Sequence, residues 1–351
     1  MINFNLLTFS HVIMHRVHEK IAGQLHSNVS FSEHLITISQ EVEDVIKKRL
    51  IDAAGRESRS FELKIENVSD GSFFDLSKSI IETNNENFIE KSKTIAELLG
   101  ESQTHHRIPG GYLILISAID NDNKPLIIVI KAEPHEALKV SSNEQLLIEN
   151  VFLSPSQKLY KIGVLHQDNS GLSLTADLFK SYLFDDQFRQ DGHPAEYFYK
   201  SFLGLNVSEN SKIQTNQFYI KTEEFIKQNI ELTSEKMLQF THLKSYIGNN
   251  TETIRPLDFA NNYMISSLRD SYIASVVREL PNSFVKDSIL IKSRISQRKI
   301  SFGGSLKIIG PEYSFNDKVK IFQDIDELSH LDIADDEYSI LLIKGLPFED
   351  D

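Results

Sequence analysis

The chain has no cysteine. That excludes disulfide staples, thiolate zinc sites and a cysteine nucleophile. No apolar run approaches the roughly 20 residues needed to span a bilayer. Met1 to Thr8 is mildly apolar, but His11, His15, Arg16 and His18 follow at once. No small-residue cleavage site closes that stretch, so no signal peptide is expected. Gly110-Gly111 and Gly303-Gly304 both lack the Gly-Lys-Ser/Thr ending of a phosphate loop and its strand-before, helix-after setting. They read instead as backbone kinks or bulges where the chain enters a strand. No serine sits in a nucleophile elbow. Internal repeats and low-complexity linkers are missing too. The expectation is a soluble cytoplasmic protein with no cofactor, no metal, no membrane contact and no catalytic site.

What remains is ordinary globular material in 351 residues, with 40% hydrophobic and 25% charged side chains. That is enough for one large domain or two or three small ones, with apolar surface for a core. The formal net charge is -13, from 37 Lys and Arg against 50 Asp and Glu. Such a balance opposes loose adhesion to nucleic acid, so any DNA contact must be regional. One region stands out. Lys286, Lys292, Arg294, Arg298, Lys299 and Lys307 form a cationic run interrupted by one acid, Asp287. Ile289, Ile291, Ile295 and Ile300 are interleaved with them. Read as strand-turn-strand, Lys292 and Arg294 fall on one face and Ile289, Ile291 and Ile295 on the other. A cationic face anchored to a core suits backbone-phosphate contact, and spacing alone fits a solvated strand face equally. Downstream the charge swings back. Asp324, Asp326, Glu327, Asp332, Asp335, Asp336, Glu337, Glu349, Asp350 and Asp351 face a lone Lys344. This tail reads either as a solubilising end or as a competitor for the basic run.

Hydrophobic periodicity predicts an α+β fold in three parts: a mixed α/β sheet domain over 1–172, a helical region over 173–282, and a strand-rich C-terminal region over 283–351. Glu33 to Leu50 and Asp75 to Leu99 carry helical spacing, with Gly100 where the second helix would stop. Ser58 to Val68 alternates as a strand. Tyr112 to Ile119 and Leu126 to Ile130 are apolar strands flanking the turn Asn121-Asp122-Asn123-Lys124-Pro125, which places a hairpin in the middle of a covered sheet. Lys158 to His166 is a further strand. Helices are expected from about Ala176 to Leu280: one opened by Pro194, one or two over Phe218 to Tyr246, and one from Pro256. Leu306 to Ile309, Val319 to Phe322 and Ile340 to Ile343 close the chain as strands.

Two other constellations carry chemistry in principle. His11, His15 and His18 would share a helix face, a spacing that can hold a metal. Their apolar neighbours also fit a strand, and no carboxylate of suitable spacing accompanies them, so no metal site is expected. Asp52, Glu62 and Lys64 have the acidic-acidic-Lys character of a metal-dependent nuclease. A solvent-facing strand edge gives the same pattern, and nuclease chemistry stands as an alternative only.

Several short motifs, in order along most of the chain, carry a family likeness. They are Ile13-Met14-His15-Arg16-Val17, Pro109-Gly110-Gly111-Tyr112-Leu113, Leu153-Ser154-Pro155 with Lys158-Leu159-Tyr160-Lys161, and Ala195-Glu196-Tyr197-Phe198 through Phe202-Leu203-Gly204. Ile300-Ser301-Phe302-Gly303-Gly304 and Ile343-Lys344-Gly345-Leu346-Pro347 complete the set. In these the chain resembles the bacterial nucleoid-associated proteins of NdpA/YejK type. The resemblance implies nucleoid localisation, double-stranded DNA as partner and no catalytic residue. It supplies no residue map for DNA, so the contact residues rest on the charge reading: Lys286, Lys292, Arg294, Arg298, Lys299 and Lys307. One departure is the stretch Asp185-Asp186-Gln187-Phe188-Arg189-Gln190-Asp191. It has a single cation, Arg189, where the family is more basic, and this shifts the expected contact to the C-terminal run. A homodimer would double the basic surface. The alternative, from a different class, is a scaffold that recognises protein partners, for example in phage defence, through the acidic tail and the aromatic helix.

Overall fold

The computed structural model describes residues 2–140, 146–151, 160–169, 174–185, 195–302, 306–311 and 347–349. They fall into two compact units, Met1–Asn210 and Ser211–Asp351. The fold is α+β.

The first unit is built on an antiparallel sheet. Its strands are β1 (Thr8–Val17), β2 (Val29–Ser30), β3 (Ser60–Ile65), β4 (Gly111–Ile119) and β5 (Pro125–Ala132), with β6 (His135–Val140) and β7 (Leu146–Val151) making a separate hairpin. β8 (Tyr160–Gln167), β9 (Phe179–Asp185) and β10 (Leu205–Asn206) complete the set. The eight-stranded order is β10-β3-β9-β8-β5-β4-β1-β2. β4 and β5 lie inside it, as their two-faced apolar sequence requires. The turn between them is closed by Asp120, whose Oδ1 accepts from the Asp122 and Lys124 N–H groups at 2.9 and 2.8 Å. Asn123 takes φ 58, a conformation Asn tolerates.

Strand alternation sends two apolar sets to opposite faces. Ile114, Ile116, Ile128, Ile130, Ile162 and Val164 meet Ile46, Leu50 and Ala53 of α1 (Gln40–Ala54). On the other face Gly163 leaves room for the side chains of Val129 and of Leu203, which follows a π-helical turn, Tyr197–Phe202. α2 (Phe73–Glu82) and α3 (Phe88–Ser102) pack on each other, α2 against β5 and α3 against β1.

Three boundaries differ from the periodicity. α1 starts at Gln40, capped by Ser39, because the Ile36 N–H is bonded to the Val12 carbonyl at 2.8 Å and holds the preceding segment along β1. The single helical pattern of Asp75 to Leu99 is two helices, broken where Asn84 and Asn85 take φ 48 and 68. Gly100 does not end α3. It lies inside the helix, where a side chain is excluded because a Cβ would come 2.8 Å from the Ser27 carbonyl oxygen. A fourth difference is larger: Phe179–Asp185, inside the stretch expected to be helical, is a strand of the sheet. Pro194 lies outside the described residues.

The second unit holds α4 (Ser211–Asn229), α5 (Thr233–Gly248), α6 (Pro256–Asn262), α7 (Arg269–Ser275) and α8 (Lys292–Ser296). β11 (Thr253–Ile254) pairs with β12 (Phe284–Val285), and β13 (Gln297–Phe302) pairs with both β14 (Leu306–Pro311) and β15 (Pro347–Glu349). Its core is aromatic. Phe218 sits edge-on to Phe259 at 5.8 Å, and Phe225 edge-on to Tyr272 at 5.1 Å. Such pairs add roughly 0.5–1.5 kcal/mol each beyond area burial. The Tyr272 hydroxyl is satisfied by Thr222 Oγ1 at 2.6 Å, and burial pushes its pKa far up, so it stays a neutral phenol.

Candidate nucleic-acid interface

The basic run is not strand-turn-strand at its start. Ser288–Leu290 is a 3-10 turn, Lys292–Ser296 is one turn of α-helix, and the strand begins at Gln297. Leu290 and Ile291 are buried and Ile295 packs on the aromatic core, so the i, i+4 pair Ile291 and Ile295 sets a helical turn here.

The cations then take different environments. Lys286 turns inward: its ammonium donates to the Asn249 carbonyl at the end of α5, and its N–H to Glu252 O at 2.8 Å. A cation at a helix C-terminus is favoured by the aligned peptide dipoles. Burial lowers the Lys286 pKa. Arg294 is half-buried, with its guanidinium 5.8 Å from the Tyr219 ring centroid and 3.9 Å from Glu223 Oε2. Lys292 and Lys307 are exposed. Arg298 and Lys299 lie on β13, opposite Gly310 and Ile309 of β14, and Lys307 stands opposite Ser301. Gly303-Gly304, the strands expected at Val319 to Phe322 and Ile340 to Ile343, and the acidic residues from Asp324 to Glu337 with Asp350 and Asp351 lie outside the described residues. The terminal strand β15 nevertheless puts Glu349 opposite Ile300, next in sequence to Lys299.

The three histidines separate: His11 and His15 lie on β1, and His18 just past its end. His11 packs its ring 5.3 Å from Phe88. His18 Nε2 is 2.7 Å from Ser30 Oγ. His15 Nδ1 accepts from the Ser32 N–H at 3.1 Å, so Nε2 carries the proton and donates to Ser92 Oγ at 2.9 Å. Burial first, then Lys93 nearby, lowers its pKa to about 4. Among the described residues no group of three His, Asp or Glu could hold a metal ion. The acidic-acidic-Lys set is also dispersed in its bonding: Asp52 pairs with Arg49 at 3.3 Å, and Lys64 with Glu209 at 2.8 Å.

A cluster with no signature in the sequence lies inside the sheet of the first unit. Lys131 and Lys161 are neighbours across β5 and β8 and both are buried. Lys131 Nζ donates to Pro109 O at 2.9 Å and Glu133 Oε1 at 3.0 Å, and it sits 5.8 Å from the Tyr197 ring centroid. Lys161 Nζ lies 3.5 Å from Asp185 Oδ1. Desolvation lowers the Lys131 pKa despite Glu133. Desolvation also pushes the Tyr197 hydroxyl strongly up. Pairing across the sheet is what makes these charges tolerable in the interior. Phe198, Tyr199 and Phe202 of the π-helical turn are buried as well, with Phe202 5.4 Å from Phe73. The aromatic helix is therefore core, not a free docking face. At the far end of β5 and β8, His166 Nε2 is 2.9 Å from Asp120 Oδ2. Burial alone would raise the Asp120 pKa, but the Lys124 and Asp122 amides and His166 outweigh it and lower it.

No curated protein matches the sequence. A family model described as nucleoid-associated protein YejK matches residues 13–348, spanning both units and the whole basic run, so the chain belongs to that family.

Proposed function

We propose that this protein binds double-stranded DNA through backbone phosphates, as a non-catalytic component of the bacterial nucleoid. Membership of the nucleoid-associated family over residues 13–348 carries the reading. The exposure of Lys292 and Lys307 around β13, which bears Arg298 and Lys299, supports it. Each cation that reaches a phosphate releases condensed counterions, which gives affinity with little base readout. The net charge of -13 repels the duplex at long range, but salt screens that repulsion beyond about 8 Å at physiological ionic strength. Contact is therefore left to local cations. A homodimer would double them, and the acidic terminus that follows β15 competes for them.

The test is the salt dependence of binding to a mixed-sequence duplex. The combined variant Lys292→Gln, Arg298→Gln, Lys299→Gln and Lys307→Gln is expected to flatten the slope of log affinity against log salt, by about 0.9 for each phosphate that is no longer neutralised. An unchanged slope removes these residues. Plasmid incubated with Mg²⁺ or Mn²⁺ is expected to stay intact, and nicking would revive the nuclease alternative. A scaffold role, for example in phage defence, is the second reading. It is favoured by the exposed apolar residues Leu35, Ile36, Val42 and Val45. Salt-insensitive capture of a protein without DNA would put it first.

A further inference from the structure

β1 is closed on one side only. β4 pairs with it from Thr8 to Val17. On the other side β2 reaches Arg16 and Val17 alone, opposite Ser30 and Val29. Backbone groups of successive strand residues point to alternate sides. The His18 N–H bonds to Asn28 O at 2.9 Å and the Val12 C=O accepts from the Ile36 N–H at 2.8 Å, so Val12 and Met14 both present their N–H and C=O away from β4. Carried on, the β2 register would set Ser32 opposite Met14, two places along from the Arg16 and Ser30 pair. The ladder breaks there instead. The Ser32 N–H donates to His15 Nδ1 at 3.1 Å and not to the Met14 carbonyl.

The chain that runs past this edge, residues 31–38, is a strap held at few points. Its start is fixed by the pairing of Ser30, and its end by Ile38, which packs on the apolar cluster that α1 covers. Between these ends, the Phe31 ring stands edge-on to His15 at 5.9 Å. Among the described residues, three hydrogen bonds tie the strap to the rest of the fold. They are Ser32 N–H to His15, Lys93 Nζ to Glu33 Oε2 at 2.7 Å, and Ile36 N–H to Val12 O. Glu33 through Thr37 are all exposed, so no side chain there is sunk into a core. Ordering such a segment costs backbone entropy at every residue and gains little burial in return. It therefore belongs to the part of the molecule that opens first. The Val12 N–H and both backbone groups of Met14 meet no strap amide or carbonyl.

We propose that residues 31–38 are a releasable strap, and that its opening lets β1 pair with β1 of a second copy of this chain. The edge is its own complement. Antiparallel pairing about Ile13 sets Val12 of each copy opposite Met14 of the other, and the two-fold axis repeats the match. Each of these residues brings one N–H and one C=O, so the pairing satisfies them reciprocally and carries the sheet across the axis. A second copy also offers this strand already extended and already bonded to β4, so association orders little that is not ordered beforehand. Covering an edge with a loop is one way in which sheets are kept from joining edge to edge. The strap then controls that joining. The inference is independent of the DNA reading.

The experiment compares three full-length proteins by amide hydrogen exchange and by sedimentation over a range of concentrations. They are the natural chain, a released variant and a tethered one. The released variant carries Glu33→Gln and Ile36→Pro, two exposed positions, which removes the Lys93 pair and the amide on Val12. The tethered variant carries Glu33→Cys and Lys93→Cys joined by a flexible bismaleimide, with no other cysteine to compete. Strap amides of the released variant are expected to exchange faster, by roughly two- to tenfold for each contact removed, with β4 and β5 unchanged. The released variant is expected to associate at lower concentration than the natural chain, with Val12 and Met14 gaining protection as it does so. The tethered variant associates more weakly than the released one. Faster exchange throughout β4 and β5 would overturn the proposal, because the strap would then not open on its own. Unchanged strap exchange in the released variant, or equal association of the released and tethered proteins, would overturn it as well.

Discussion

His15 shows how surroundings decide a residue's chemistry. Both ring nitrogens are taken, one accepting from the Ser32 amide and one donating to Ser92, so a second proton can enter only by breaking the Ser32 bond. With the folded pKa lowered from 6.5 to about 4, the unfolded chain takes up the proton first. The stabilisation is complete above the unfolded value and is lost as pH falls from there through the folded one. Urea unfolding is expected to show the natural protein losing about 2–3 kcal/mol more than His15→Gln between neutral pH and pH 4, at about 1.36 kcal/mol per pKa unit. Parallel pH profiles would exclude that role. At this scale the sequence was only partly legible. It showed that His11, His15 and His18 fit a strand as well as a helix. It could not show that the Lys286 ammonium is spent on the end of α5, because the partner, Asn249, lies 37 positions away.

Among elements, those specified locally were readable. The hairpin of β4 and β5 announces itself through two apolar runs and an Asn-Asp-Asn-Lys-Pro turn. The break between α4 and α5 was allowed for. α2 carries its own start signal. Ser72 Oγ accepts from the Asp75 N–H at 3.2 Å, and Asp75 Oδ2 accepts from the Gly71 N–H at 2.9 Å. Ser72→Ala is expected to cost about 1 kcal/mol in chemical denaturation, and no loss would show that packing alone holds this helix start. β9 was hidden for a definite reason. Ser181 occupies an inward position between Phe179 and Leu183 and donates its hydroxyl to the Leu63 carbonyl, which interrupts the apolar alternation. α8 is a single turn, too short for a period of 2 to be told from 3.6.

At the scale of the whole molecule, each unit has an apolar cluster of its own, one around Leu50, Ile116 and Ile128, the other around Phe218, Phe259 and Tyr272. Residues 1–210 expressed alone are expected to melt in one cooperative transition, and a gradual melt with dye-binding apolar surface would refute that independence. The acidic total and the C-terminal run were plain from composition. The buried lysines bear on a different kind of chemistry. Acylation of amines needs a solvent-reachable nitrogen, and Lys131 and Lys161 offer none, at 0% and 3% exposure. Lys292 and Lys307 are open to it. Enzymatic acetylation of the folded protein would therefore erase surface cations one at a time while leaving the interior ion pairs, and the sheet they cross, untouched.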